Sequence, residues 1–305
     1  MRILVIGGAG FLGSHCSAAL SSRGHEVIVF DRPGVVLGAR HRGIRGHLEG
    51  DICNRKDLDR ALDGIQAVIH FAWTTVPGSS MRSPRYDVET NLVGTLHVLE
   101  ASVAAGVRRV LFPSSGGTIY GIPQQLPIPE DHPTNPRCSY GILKMTVEKY
   151  LEMFRQERGL EYTVLRISNA YGEGQPLERA QGAVGVFLSR VLNGETIEIW
   201  GNGEVSRDYI HASDIAEAFA LAVEGADTLH TYNVGTGEGT TLNTLIELIG
   251  KTTGKKPSVV YKASRPFDIQ DNRLACDRIR KAFGWSPRVS LREGIARTWE
   301  AMLAS

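Results

Sequence analysis

Apolar residues gather along this chain in short unbroken runs, and between the runs apolar positions recur at helical spacing. Residues 2–6 read RILVI and are closed by two glycines, the pattern of a strand buried on both faces of a parallel sheet. Similar runs follow at 26–30 (EVIVF), 67–72 (AVIHFA), 108–115 (RRVLFPSS) and 162–168 (YTVLRIS). Helices are expected over roughly 11–23, 86–105 and 139–158. Strands alternating with helices in this way predict the α/β class, a doubly wound parallel sheet with helices on both faces. Beyond about 169 the runs shorten among glycine-rich segments, so a smaller C-terminal α/β unit is expected there.

The first run passes directly into GGAGFLG, residues 7–13. Gly7 permits a sharp turn, Gly10 lets the backbone come close to a pyrophosphate, and Gly13 lets the following helix pack on the sheet. The N–H groups at the start of that helix, at Phe11 and Leu12, would face the phosphates. The second run ends in Asp31, about 20 residues past the turn, where a carboxylate accepts hydrogen bonds from the adenosine ribose. An ordinary surface turn can show three glycines, but strand, turn, helix, strand and acid together specify a dinucleotide site on a Rossmann sheet. Asp31 would repel a 2′-phosphate, so NAD is the expected cofactor, even though Arg32 is a residue type that greets such a phosphate. Asp51, Phe71 and Ser115 fall at the same carboxyl edge of the sheet, where ligands of such folds sit. The expected units are 1–168 plus about 207–235 for NAD, and 169–206 plus about 236–305 for substrate.

Composition narrows the alternatives. A chain of 305 residues with 42% hydrophobic content can build a large core. Its net charge of +1 argues against a nucleic-acid-binding face, and the basic residues between Arg32 and Arg45 are interspersed with glycine as in a solvated loop. Cys16, Cys53, Cys138 and Cys276 lack metal-ligand or disulfide spacing. No metal is therefore expected, and the thiols read as buried or idle in a reducing compartment. No apolar run nears the ~20 residues of a membrane span, and the start lacks a signal-peptide apolar region. The cytoplasm is the expected location.

SYGILK, residues 139–144, places Tyr140 and Lys144 four apart, on one face of the predicted helix. A free phenol has a pKa of about 10 and is a poor base at neutral pH. The Lys144 ammonium and the positive charge of an oxidised nicotinamide would both favour phenolate, which is what a general base needs. Lys144 would also hold the nicotinamide ribose. Tyrosine and lysine at this spacing are common on helices; here they follow a serine-rich strand end on the helix expected to flank the cofactor cleft.

GGAGFLG, GDI (50–52), HFA (70–72), NLVGT (91–95), SSGGTIYG (114–121), SYGILK, LRISNAYG (165–172) and RDYIHASD (207–214) together resemble the extended short-chain dehydrogenase/reductase family. The resemblance is to its NAD-dependent nucleotide-sugar epimerase/dehydratase branch, with UDP-glucose 4-epimerases nearest, and it spans almost the whole chain. It implies that Asp51 and Ile52 contact adenine and that Phe71, Ala72 and Trp73 line the pyrophosphate and ribose. Asn91 and Ser114 would lie beside the cofactor. Tyr140 and Lys144 match the catalytic pair. Asn169 matches an asparagine that binds the sugar-nucleotide phosphates, while Arg207, Arg265 and Asp268 match residues that hold the pyrophosphate and uridine ribose. Arginine suits a diphosphate because its planar fork makes two charge-assisted bonds. Trp200 joins this substrate set, and Thr75 in TTVPGSS (74–80) would face the hexose. Asp214 is expected to cap a helix beginning near Ile215.

The chain departs from the family at Gly116. Relatives usually carry there a serine or threonine, four residues before the tyrosine of the VYG-like segment, that bonds the reacting hydroxyl. Ser115 or Thr118 must take over, or water does. Dehydratases of the family carry an Asp-Glu pair just after that position, where this chain has Gly117 and Thr118, so dehydration lacks its acid and base.

The resemblance thus implies 4-epimerisation of a UDP-hexose. Tyr140 takes the proton of the 4-hydroxyl while carbon 4 passes hydride to NAD, the 4-keto sugar turns over in the site, and the hydride returns to the opposite face. UDP-glucose and UDP-galactose are the expected pair, with N-acetylated and uronate forms as further candidates. Asn272 stands where relatives that reject N-acetyl groups often have a bulky tyrosine. The alternatives are a reductase or dehydrogenase acting on a nucleotide sugar, such as a 4-ketosugar reductase, and a non-catalytic NAD-binding regulatory protein. The helices at 86–105 and 139–158 carry apolar residues beyond what a sheet face needs, among them Leu92, Leu96, Leu99, Val103, Met145, Tyr150 and Met153. Relatives pair through these helices as a four-helix bundle, so a homodimer is expected.

Overall fold

A computed structural model describes residues 1–176, 182–225, 229–264 and 269–304. Strand β1 (Arg2–Ile6) leads through the glycine turn into α1 (Phe11–Ser22) and β2 (Glu26–Asp31), followed by β3 (Gly46–Glu49), α2 (Arg55–Ala61) and β4 (Ala67–His70). Next come α3 (Pro77–Arg82), α4 (Pro84–Asp87), a π-helical turn (Val88–Leu92), α5 (Val93–Ala104), β5 (Arg109–Ser115), α6 (Ser139–Arg158) and β6 (Glu161–Ile167). Then follow β7 (Asn169–Tyr171), α7 (Ala183–Asn193), β8 (Ile197–Trp200), β9 (Ser206–Arg207), β10 (Tyr209–His211), α8 (Ala212–Glu224) and β11 (Thr231–Val234). The chain closes with β12 (Thr240–Thr241), α9 (Leu242–Thr253), β13 (Val259–Lys262), β14 (Asp271–Asn272), α10 (Asp277–Phe283) and α11 (Leu291–Leu303).

Seven parallel strands form the main sheet in the order β11-β6-β5-β4-β1-β2-β3. The order reverses between β1 and β4, and at such a switch the loops diverge and leave a crevice at the carboxyl ends of the strands. β1 shows why its sequence is apolar throughout. Ile3 and Val5 pack into the core on one face with Leu20 and Phe219, while Leu4 and Ile6 pack on the other with Val98 and Leu151. A third cluster, including Tyr171, Leu188, Ile197, Leu245 and Trp299, holds the C-terminal part together.

The structure departs from the expectations in local detail. The helix predicted over 86–105 is interrupted by the π turn at Val88–Leu92. Leu99 is fully buried in the core rather than a spare apolar residue. Asp214 does not cap α8: the cap is His211, whose ring accepts the Ser213 N–H, and the Asp214 carboxylate accepts the N–H groups of Arg288 and Val289. Cys53 is exposed, whereas Cys16 and Cys276 are buried. Among the described residues no helix is long and apolar enough to cross a membrane.

Candidate active site

A cavity of about 690 Å³ follows the carboxyl ends of β1, β2, β4, β5 and β6. All the residues assigned to the dinucleotide line it: Gly7, Gly10, Phe11, Leu12, Gly13, Asp31, Arg32, Asp51, Ile52, Phe71, Ala72, Trp73, Asn91, Ser114, Tyr140 and Lys144. At one end the backbone itself forms the wall. Gly7 has φ +75°, and a Cβ there would lie 2.5 Å from the Ala72 nitrogen; one on Gly13 would run into the Gly7 carbonyl. Helix α1 has no side-chain cap, so N–H groups of its first turn are left for a ligand. Asp31 is fixed beside the same turn, its Oδ2 accepting the Ala9 N–H (3.1 Å) and its Oδ1 the Arg32 N–H (2.9 Å). A backbone cradle that side chains would fill, with a carboxylate beside it, fits a dinucleotide.

The other end belongs to α6. Tyr140 and Lys144 are one turn apart and both line the cavity. Lys144 is buried; its Nζ donates to the Pro113 carbonyl (2.8 Å) and stands 3.7 Å from the Trp73 ring centroid and 5.5 Å from that of Tyr140. Burial draws the Lys144 ammonium down to about 7, against the pull of Asp87 and Glu148 in the opposite sense. His70 behind it is held down to about 3 by burial and by the Lys144 charge. Burial also pushes the Tyr140 phenol above its usual range, and Cys138 and Asp87 add to the rise. The lowering expected from Lys144 does not appear in the protein alone, and a positive charge brought in beside the phenol would act against that rise.

Ser115 and Thr118 both line the cavity that Tyr140 lines. Thr118 Oγ1 is buried without a hydrogen-bond partner, and Thr118 packs against Gly141, the residue after Tyr140. Gly116 lies outside the cavity lining. A Cβ there would lie 2.5 Å from Leu274 Cδ1, so Leu274 occupies the space that a serine would need, and Asn272 Nδ2 donates to the Gly116 carbonyl (3.4 Å).

The substrate residues are divided in their placement. Asn169 lines the cavity and donates its Nδ2 to the Asp208 carbonyl (3.1 Å). Thr75 is buried behind the wall and donates to Asp87 (2.6 Å), leaving Thr74 as the residue that faces the cavity. Arg207 lies outside the lining, its Nη1 donating to the carbonyls of Ser206 and Ile269 (2.7 Å each). Trp200 also lies outside it, at the end of β8 with the Lys262 ammonium 5.5 Å from its ring. Arg265 and Asp268 lie outside the described residues. Gln175 and Pro176 line the cavity with no sequence signal to mark them, and Asp87 beneath it carries one weak signal, its i−4 spacing from Asn91.

Residues 3–235 match the NAD dependent epimerase/dehydratase family. UDP-glucose 4-epimerase of Mycolicibacterium smegmatis is 34% identical over 306 residues, covering 98% of each chain. The crystal structure of UDP-glucose 4-epimerase from Thermotoga maritima with UDP-glucose superposes with a TM-score of 0.93 at 38% identity, covering 100% of this chain and 99% of that one. The Thermus thermophilus UDP-glucose 4-epimerase complex with NAD gives a TM-score of 0.91 at 34% identity, with both chains fully covered. This chain belongs to the NAD-dependent epimerase/dehydratase family, an enzyme of nucleotide-sugar chemistry whose cofactor is NAD.

Proposed function

We propose that the chain interconverts the C4 epimers of a UDP-hexose, UDP-glucose and UDP-galactose first, with Tyr140 as proton carrier. The observation that carries this reading is that Tyr140 and Lys144, on one face of α6, open into the same cavity as the glycine turn and Asp31. Bound NAD supplies the redox chemistry, taking up and returning hydride at carbon 4. The protein's part is to orient the sugar and move a proton. Tyr140 accepts the 4-hydroxyl proton and gives it back; Lys144 supplies a cation one turn away; and Thr118, whose hydroxyl lacks a partner, stands in with Ser115 for the side chain absent at Gly116. Asn169 and the sheet edge around Arg207 would hold the nucleotide, with Arg265 and Asp268 assigned by resemblance alone. Residues 1–168 with 207–235 serve NAD in this reading, and the remainder serves the sugar nucleotide.

A second copy of the chain is the proposed partner. Val93 on α5 and Ile142 and Met153 on α6 remain 38%, 45% and 43% exposed, apolar surface in keeping with a four-helix bundle between two copies. Sedimentation of wild type against Ile142→Arg/Met153→Arg checks this, the wild type running as a dimer and the double variant as a monomer.

The deciding experiment offers UDP-glucose, UDP-galactose and their N-acetylated and uronate counterparts to purified protein and looks for the 4-epimer of each. Tyr140→Phe should lose activity by about 100-fold or more while still holding NAD. Turnover of none of these sugars, with NADH accumulating from another alcohol, overturns the reading in favour of a net oxidoreductase.

A further inference from the structure

Beneath the cavity floor lies a carboxylate that the reaction as written does not use. Asp87, the last residue of α4, is fully buried. Its Oδ1 accepts from Thr75 Oγ1 (2.6 Å) and Asn91 Nδ2 (2.8 Å), and its Oδ2 accepts from Ser139 Oγ (2.7 Å). These donors belong to three separate segments. Thr75 follows Thr74 in the cavity wall. Asn91 sits in the π turn, where its Oδ1 accepts the Thr74 N–H (2.8 Å). Ser139 immediately precedes Tyr140. π turns inserted in helices recur at functional sites because they re-aim a side chain, and this one aims Asn91 at both Asp87 and the cavity wall.

The start of α6 needs such an anchor. Its cap residue, Cys138, makes no side-chain cap bond, so the first N–H groups have no partner within the helix. One is taken in trans, the Tyr140 N–H donating to Ser80 Oγ (3.1 Å). With the Ser139–Asp87 bond this fixes the first turn of α6 at two successive residues, to α3 and to α4. The position of the phenol is thus set by half-buried polar contacts outside its own helix.

We propose that Asp87 is a positioning residue for the reaction: its carboxylate ties the cavity wall at Thr74–Thr75 and the Asn91 turn to Ser139, and so sets where the Tyr140 hydroxyl stands over the substrate. The proposal rests on Tyr140 being the proton carrier. Asp87 also has an electrostatic consequence. The groups facing Tyr140 are Lys144 on its own helix, Cys138 before it, the Trp73 ring from the loop after β4, and Asp87 from α4; Lys144 in turn faces His70 and Glu148. The Asp87 charge disfavours phenolate and favours the ammonium. Removing it should therefore lower the titration of the phenol while loosening its position.

The test compares NAD-bound wild type with Asp87→Asn, Ser139→Ala and Ser139→Thr. Misplacement of a reacting group by about 1 Å can cost on the order of 100-fold. Asp87→Asn is expected to lose about that much kcat, and Ser139→Ala roughly tenfold, with KM changed by less than about threefold, while Ser139→Thr restores most of the rate. The rising limb of the pH–rate profile should move to lower pH in Asp87→Asn and stay in place in Ser139→Ala. Ultraviolet titration of tyrosinate, referenced to Tyr140→Phe, should show the same movement without any turnover. That arm still reads on Asp87 if no UDP-hexose is epimerised, so the two readings can fail separately. Folded Asp87→Asn and Ser139→Ala variants with wild-type kcat and an unmoved Tyr140 titration overturn the proposal; so does loss of rate in Ser139→Ala that Ser139→Thr fails to restore.

Discussion

Lys144 holds its ammonium 3.7 Å from the centre of the Trp73 indole while donating to the Pro113 carbonyl. A cation over an aromatic face gains attraction that offsets part of its desolvation, yet burial still draws Lys144 from 10.5 down to about 7. The unfolded chain therefore keeps this proton from about pH 7 to about pH 10 while the folded protein does not. In that window the unfolded state binds more protons, so this group makes stability rise with pH. Lys144→Met should abolish that rise, a difference on the order of a few kcal/mol across the window. Denaturant unfolding of NAD-free wild type and variant at a series of pH values checks it; parallel curves would refute it. The same variant should lose activity about 100-fold.

Gly116 and Leu274 divide one space. Gly116→Ser, which restores the residue usual among relatives, should lower stability by about 1–3 kcal/mol and fail to raise activity, because the new Cβ meets Leu274 Cδ1. Leu274→Ala alone should cost about 2–5 kcal/mol through the cavity it leaves. Combined, the two changes should cost less than their sum, since each relieves the other's defect. A double variant whose loss equals the sum of the singles would show that the two positions do not compete.

These cases show where the sequence was readable. β1 was legible because a strand buried on both faces is nearly continuous in apolar residues, and β6 because five of its seven positions are apolar or aromatic or threonine, with Arg166 the one charge inside the run. The bounds of α6 were legible too, ending where Gly159 adopts φ +67° to close the helix. β3 was not, because GHLE is a short edge strand that packs only partly and carries no apolar run. The π turn was invisible because one extra residue barely alters the apolar spacing. Cofactor residues follow one another along strand ends and so leave local motifs. Asp87 is recognised only through partners at 75, 91 and 139, and the vacancy at Gly116 is filled by Leu274 from far along the chain.

Asp31 and Arg32 pose opposite preferences at the adenosine end. Asp31 is held in place by the Ala9 N–H, and Arg32 is exposed beside it at the cavity mouth. Asp31→Ser removes both the ribose acceptor and the charge that repels a 2′-phosphate, leaving Arg32 to attract one. NAD affinity should fall about tenfold, close to the loss of one hydrogen bond to a charged group, while NADP affinity rises. Calorimetric titration of both cofactors checks this, and an unchanged ratio would mean that the ribose hydroxyls are held elsewhere.

Arg166 and Glu148 form a buried ion pair directly behind the site. Arg166 Nη2 lies 2.6 Å from Glu148 Oε2, and its Nη1 donates to Tyr120 (3.0 Å) and to the Glu130 carbonyl (2.9 Å). Glu148 also accepts from Ser114, which lines the cavity. Each of these charges is the other's ionic partner in a site withdrawn from water, so removing Arg166 leaves Glu148 buried without its guanidinium. Arg166→Met should cost about 3–5 kcal/mol, and Arg166→Met/Glu148→Leu should recover much of that loss. Because Ser114 then loses its charged acceptor, NAD affinity should fall in the double variant even where stability returns. Unfolding and NAD-binding measurements on the same preparations separate the two effects, and a double variant no more stable than the single would show that the unpaired Glu148 charge is not the source of the loss.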